Sequence, residues 1–206
     1  MNSRIKKKIL EDLKRDPGKQ YILFLLNSLD KAPIKGKTKL MKELFFISKN
    51  IPLLEEYLEF EPDNYGPNSD KVSHFLSQMS QIGLINLKKE KNYHDREVYM
   101  IGNFGEEVLN ELNQDKIDII LLNDMKELFD GLNADESLAI TYFTHPDMTG
   151  ESLVKDKIFA KREKLALSLY RKDKISAAKA SEMAGLPLIT FLQKLKEKGM
   201  PMELKY

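Results

Sequence analysis

The chain has 206 residues with a middling hydrophobic share of 42%, which suits a soluble globular protein of one large domain or two small ones. Its longest apolar runs, residues 21–26 and 117–122, are too short to cross a bilayer, and the basic stretch "RIKKKIL" lacks the apolar core and small-residue cleavage site of a secretory signal. No cysteine is present, which excludes disulfides, thiol catalysis and zinc knuckles, so the reducing cytoplasm is the expected compartment.

The net charge of +1 hides a strong segregation. Residues 1–49 carry thirteen Lys/Arg against five Asp/Glu, or +8, and residues 102–136 carry two against ten, or −8. Residues 161–206 carry eleven against five, or +6. Either basic end has the charge to meet nucleic acid, although Lys-rich helices are also simply soluble. The acidic middle is equally suited to dock onto a basic end, its own or a neighbour's.

In chain order, Ile5, Ile9 and Leu13 recur every four residues and predict an N-terminal helix that stops before "RDPGK". "QYILFLLNSLD" predicts a buried helix, and Leu40, Met41, Leu44, Phe45 and Ile47 give the next helix a broad apolar face. An acidic, turn-rich stretch, "EEYLEFEPDNYGPNSD", precedes a third helix carrying Val72, Phe75, Leu76, Met79 and Ile82 at core spacing. Two strands near residues 84–88 and 97–101 then flank a charged loop. Three helices followed by a hairpin is the order of a winged helix.

Beyond the hairpin, Asn103 with Glu106 and Asn133 with Glu136 have the spacing of capping boxes, each predicting a helix start. A long helix is predicted from about residue 153 to 172, and the tail "MPMELKY" alternates as a strand does, with Pro201 favouring a sheet edge. The expected fold is mainly α with a small β-hairpin: a winged-helix domain over residues 1–112, acidic connecting helices over 113–160, and a C-terminal helix-turn-helix with a terminal strand over 161–206.

The C-terminal pair is marked by small Ser181, by Gly185 in the turn, and by Leu186, Phe191, Leu192 and Leu195 filling the angle between the helices. A recognition helix reads bases mainly with its first residues, and here these are Pro187, Leu188 and Ile189, whose side chains form no hydrogen bond. Leu188 and Ile189 therefore suit a protein partner, while Lys179, Gln193 and Lys194 suit phosphates, which position a protein without specifying sequence. On the winged helix, Ser69, Lys71, Ser73, His74, Ser77 and Gln78 lie off the apolar face and offer base and phosphate contacts, with Lys88, Lys89, Lys91 and Arg96 in the wing. Glu55, Glu56, Glu59, Glu61, Asp63 and Asp70 oppose this, because a duplex carries one negative charge about every 1.7 Å.

Two resemblances rest on these residues. Residues 161–206 resemble the short prokaryotic proteins of uncharacterised protein family 0175, in Leu169, Tyr170, Ile175, Ser176, Ala180, Ala184, Gly185, Phe191, Leu195, Gly199 and Pro201. Asp173 stands where that pattern usually has Gly. The resemblance implies a helix-turn-helix with a C-terminal strand, an antitoxin-like role and no catalytic residue. Residues 20–112 are similar to the Panacea-type antitoxin domain, through Lys39, Leu40, Leu44 and Phe45, the turn Tyr65-Gly66-Pro67, and Gly83-Leu84-Ile85.

No enzyme motif stands beside them. Gly36-Lys37-Thr38 looks like the end of a phosphate-binding loop, but Lys31 occupies the place of its first glycine. His74, His94 and His145 have no metal-ligand spacing, and no nucleophile–base pair can be placed. The expectation is a cytoplasmic DNA-binding transcriptional regulator, antitoxin-like and dimeric, with double-stranded DNA and a toxin or other protein as partners and no cofactor, metal or catalysis. The alternative is a protein-interaction module without sequence-specific DNA binding.

Overall fold

The computed structural model describes residues 3–91, 95–114 and 117–201. Among these the chain is mainly helical with small antiparallel sheets. It divides into two compact units, residues 1–61 with 67–130, and residues 62–66 with 131–206.

The first unit begins with α1 (Ser3–Arg15) and α2 (Pro17–Lys31). Asp16 caps α2 by accepting the Lys19 N–H at 3.0 Å, and Pro17 occupies the first turn, where its missing N–H is no loss. Residues 21–26 are buried on every side, so α2 is the central helix of this core. The helix does not end in a glycine. Ser28 turns extended and Leu29, Asp30 and Lys31 follow with φ of 48°, 51° and 59°, three consecutive left-handed residues with side chains.

Two further helices, α3 (Lys37–Asn50) and α4 (Pro52–Leu58), lead to the short strands β2 (Glu61–Asp63) and β3 (Gly66–Asn68), of which residues 62–66 belong to the second unit. Next come α5 (Asp70–Gln81), β4 (Ile85–Glu90) and β5 (Arg96–Ile101). β4 and β5 form the predicted hairpin, with Ile85 opposite Ile101 and Glu90 opposite Arg96. A strand that periodicity did not reveal, β1 (Ile34–Lys35), pairs antiparallel with β5 and gives the sheet order β1-β5-β4. Two residues are too few to show an alternation.

The unit closes with α6 (Asn103–Leu109) and α7 (Ile119–Phe129). Asn103 is not the cap of α6. Gly102 holds that place in an extended conformation and its N–H donates to the Leu84 carbonyl at 2.9 Å, so α6 is fixed by the sheet rather than by a side chain. A Cβ on Gly105 would stand 2.1 Å from the Leu84 carbonyl oxygen. Gly105→Ala is therefore expected to lower the stability of this unit by about 1–3 kcal/mol through overpacking against backbone, read as a shifted urea midpoint.

The second unit contains α8 (Ala134–Thr144), a 3-10 turn (Pro146–Thr149), α9 (Lys155–Ala160), α10 (Arg162–Arg171), α11 (Ala177–Ala184) and α12 (Leu188–Glu197). Asn133 and Glu136 form the predicted capping box, each side chain bonded to the other's backbone N–H at 3.0 and 2.8 Å. Glu136 also accepts from Ser168 Oγ and Lys172 Nζ, both at 2.7 Å. Burial works to raise the pKa of this carboxyl, but the hydrogen bonds from Lys172, the Asn133 N–H and Ser168 outweigh it and hold the group below the usual range.

The predicted helix over 153–172 is broken at Lys161, whose backbone leaves the helical region between α9 and α10. The stretch over 113–160, expected to form acidic connecting helices, contains α7, α8 and α9. α7 buries Leu122 and Phe129 in the first unit, and α8 buries Leu138, Ile140 and Tyr142 in the second. The terminal strand expected beyond Pro201 lies outside the described residues, as does His94.

Candidate functional site

On α5, the core residues Val72, Phe75, Leu76 and Met79 turn inward and leave a polar face of Asp70, His74, Ser77 and Gln81 exposed. Gln78 is half-buried beside them. Ser69 has another task. It is 1% exposed, donates its hydroxyl to the Leu58 carbonyl and accepts the Val72 N–H at 3.1 Å, so it caps α5 and offers nothing to a ligand. Ser73 donates its hydroxyl to the Ser69 carbonyl at 3.0 Å.

The basic groups around this face divide into two sets. Lys71 is taken: its ammonium pairs with Glu59 at 3.2 Å and lies 3.9 Å from the centroid of the Tyr57 ring. Lys49 pairs with Glu55 at 2.6 Å, so the acidic stretch does neutralise part of this surface. In the hairpin, Arg96 Nε donates to Glu90 at 3.1 Å, which also stands 3.5 Å from Lys35. The hydrogen bond from Arg96 holds the Glu90 carboxyl below the usual carboxylate range. Lys88, Lys89 and Lys91 are exposed and make no ion pair among the described residues.

In the second unit, Ser176 caps α11 by accepting the Lys179 N–H at 3.2 Å. Gly185 ends that helix at φ 70°, a conformation that only glycine takes without strain. Arg162 fills the space above it, donating to the carbonyls of Met183 at 2.7 Å and Glu182 at 3.1 Å, so the turn between α11 and α12 is held from α10. Phe191 and Leu195 are fully buried beneath.

At the start of α12, Leu188 is 38% and Ile189 67% exposed, which leaves two large apolar side chains adjacent in water. Of the cations expected on this pair, Lys179 meets Glu182 at 3.1 Å and Lys194 meets Glu163 at 2.8 Å; Gln193 is exposed. The structure thus leaves the apolar pair open and neutralises the predicted phosphate contacts around it.

Two features were not found by reading the sequence. Along α10, residues Lys164, Arg171 and Glu163 line a groove of about 520 Å³ with Lys198, Ala160, Leu167 and Met200. The other feature is buried charge in the first unit. Lys126 of α7 reaches into the core and donates to the carbonyls of Ser28 at 2.9 Å, Leu25 at 3.1 Å and Leu26 at 3.4 Å. Asn123, one turn earlier, accepts the Leu29 N–H at 2.9 Å. On α3, Lys42 and Glu43 are both fully buried. Desolvation pushes the Lys42 amine down to about 7 and the Glu43 carboxyl up to about 8. Among the described residues neither Glu43 oxygen has a hydrogen-bond partner.

Among the described residues, no group of three or more His, Cys, Asp or Glu is placed to hold a metal, and no helix is long and apolar enough to cross a membrane. The described residues form a mainly helical chain of two units. Residues 138–206 match the model of an uncharacterised protein family (UPF0175), which covers the last third of the chain. The match begins within α8 and takes in α9 to α12, so it includes nearly all of the second unit. No curated protein matches the chain. The departure noted at Asp173 has a geometric meaning: its φ is 58°, the left-handed region where a glycine is free of strain.

Proposed function

We propose that this chain is an antitoxin-like, DNA-binding transcriptional regulator that acts as a dimer in the cytoplasm without cofactor or catalysis. In this reading the first unit is a winged helix and holds duplex DNA, while the α11–α12 pair of the second unit is a helix-turn-helix adapted to a protein partner. The observation that carries it is the sheet order β1-β5-β4. A strand set between the first two core helices and paired with the far strand of a hairpin is what closes a winged helix around its third helix. The hairpin leaves Lys88, Lys89 and Lys91 for phosphates, and α5 presents His74, Ser77 and Gln78 for base edges. The family match over residues 138–206 supports only the antitoxin-like part of this reading.

A second reading is favoured by two observations of its own. Leu188 and Ile189 stand exposed together, and Glu59 occupies Lys71. These suit a protein-interaction module that grips a toxin or another partner with no sequence-specific DNA role.

The deciding experiment is fluorescence anisotropy with a labelled duplex from the protein's own upstream region against a scrambled duplex, at about 50 and 200 mM salt, where phosphate-dominated binding falls steeply. The regulator is expected to prefer its own duplex at both salts. The K88E/K89E variant is expected to lose at least about tenfold in affinity for both duplexes, because those lysines would meet phosphates rather than bases. Equal binding to the two duplexes that vanishes with salt, or none, leaves the protein-interaction module.

A further inference from the structure

The groove on α10 has two properties at once. Lys164, Arg171 and Lys198 stand exposed along it and make no ion pair among the described residues. Leu167, Met200 and Ala160 give its lining an apolar part, and the one carboxylate on it, Glu163, is already held by Lys194 at 2.8 Å. A sugar–phosphate backbone would satisfy the cations but has no apolar group to cover that part. An acidic helix that also carries an exposed aliphatic side chain satisfies both.

The chain contains such a helix. On α7, Ile120 is 73% exposed, and Asp124 and Glu127 follow it at i+4 and i+7, which puts all three on one outward face. Leu122, Lys126 and Phe129 take the inward face. The stretch that includes α7 carries −8 over residues 102–136, against +6 over residues 161–206.

We propose that the α10 groove is a self-association site that receives the acidic outer face of α7 from a second copy of this chain. Ile120 covers Leu167 and Met200, and Asp124 and Glu127 meet the cations of the groove. In the proposed dimer each copy offers its groove to the other's α7. The contact is small, so the pairing is weak and salt-sensitive, with charge supplying both register and selectivity. The proposal rests on the dimeric part of the reading above and supplies its surface.

A charge exchange tests it in the full chain. K164E/R171E makes the groove acidic, and D124K/E127K makes the outer face of α7 basic; these side chains are exposed, so both variants are expected to fold. Sedimentation velocity at about 50 mM salt is expected to show a concentration-dependent dimer for the wild type that dissociates at about 500 mM. Each variant alone should raise the dimer dissociation constant at least about tenfold, since like charges then face each other in both contacts. An equimolar mixture of the two variants should dimerise again, because one contact is then native and the other fully reversed. A wild type that stays monomeric at low salt, or variants that dimerise alone as the wild type does, would overturn the proposal. So would a mixture that fails to pair while each variant remains folded by circular dichroism. Anisotropy with the labelled duplex is run on the same samples. Lost pairing with duplex affinity kept separates this surface from the DNA reading, whereas lost duplex affinity in K164E/R171E with self-association unchanged makes the groove a nucleic-acid site and overturns the inference.

Discussion

Replacing Lys126 by Met is expected to lower the stability of the first unit by about 2–4 kcal/mol, read as an earlier urea midpoint. Methionine keeps much of the length and apolar bulk of the lysine stem, so the loss reports the ammonium and not a cavity. That ammonium donates to the carbonyls of Leu25, Leu26 and Ser28 at the point where α2 leaves the helical conformation. The last carbonyls of a helix have no partner within it, and water cannot reach these, so one side chain from α7 satisfies three acceptors. Burial pushes the Lys126 amine down to about 8, against the attraction of Glu43. The desolvation cost of the native lysine is thus already part of the wild-type balance, and removing the charge returns some of it. The orphaned carbonyls outweigh that gain, because leaving a buried acceptor unmet costs about 1–3 kcal/mol. An unchanged midpoint would mean that the three acceptors do not depend on this ammonium.

The second large effect is a dependence on pH. Glu43 is fully buried without a hydrogen-bond partner among the described residues, and desolvation pushes its carboxyl up to about 8 from 4.5. Lys39 and Lys126 oppose this shift and Asp130 adds to it. Between pH 4.5 and 8 the folded chain keeps a proton that the unfolded chain has released. The folded state binds more protons in that window, so stability falls as pH rises, by up to about 1.4 kcal/mol per unit. The lysines act with the opposite sign. Lys42, pushed down to about 7, and Lys126, pushed down to about 8, release protons in the folded state that the unfolded chain keeps to about 10.5. Their penalty is relieved as pH rises through that range. The wild type should therefore weaken from about pH 5 to 7, where Glu43 acts alone, stay level from about 7 to 8, and regain stability above that as both lysines remain deprotonated only in the folded state. Glu43→Gln should remove the fall between pH 5 and 7 and leave the rise at higher pH. Urea titrations of both proteins at several pH values measure the difference. A wild-type curve parallel to that of the glutamine variant would show that Glu43 is ionised and solvated in the native state.

Sequence reading went furthest where a single local rule decides the outcome. Asn133 and Glu136 are a capping box in the chain and in space, because both partners lie within one turn. Gly185 and the buried Phe191 and Leu195 follow from the demands of a tight turn between helices. Asn103 and Glu106 have the same spacing, yet Gly102 takes the cap because the sheet holds its N–H. α3 shows the limit most plainly. Its pattern gives a broad apolar face, and Lys42 and Glu43 fall on the side expected to be wet. The structure buries that side too, and no periodicity reports a helix covered all round when charged residues interrupt it. Ser69 failed as a contact for a similar reason, since a residue just before a helix is more often its cap than its reading surface. The α10 groove joins Lys164 and Arg171 to Lys198, a neighbour that only the return of α12 brings close.

The left-handed run that ends α2 has a thermodynamic consequence for α7. Leu29, Asp30 and Lys31 each carry a side chain at positive φ, at about 1 kcal/mol or more apiece. They stay there while Asn123 and Lys126 hold the Leu29 amide and the nearby carbonyls. Lifting α7 away would let those three residues relax, so the bend behaves as a loaded latch beneath it.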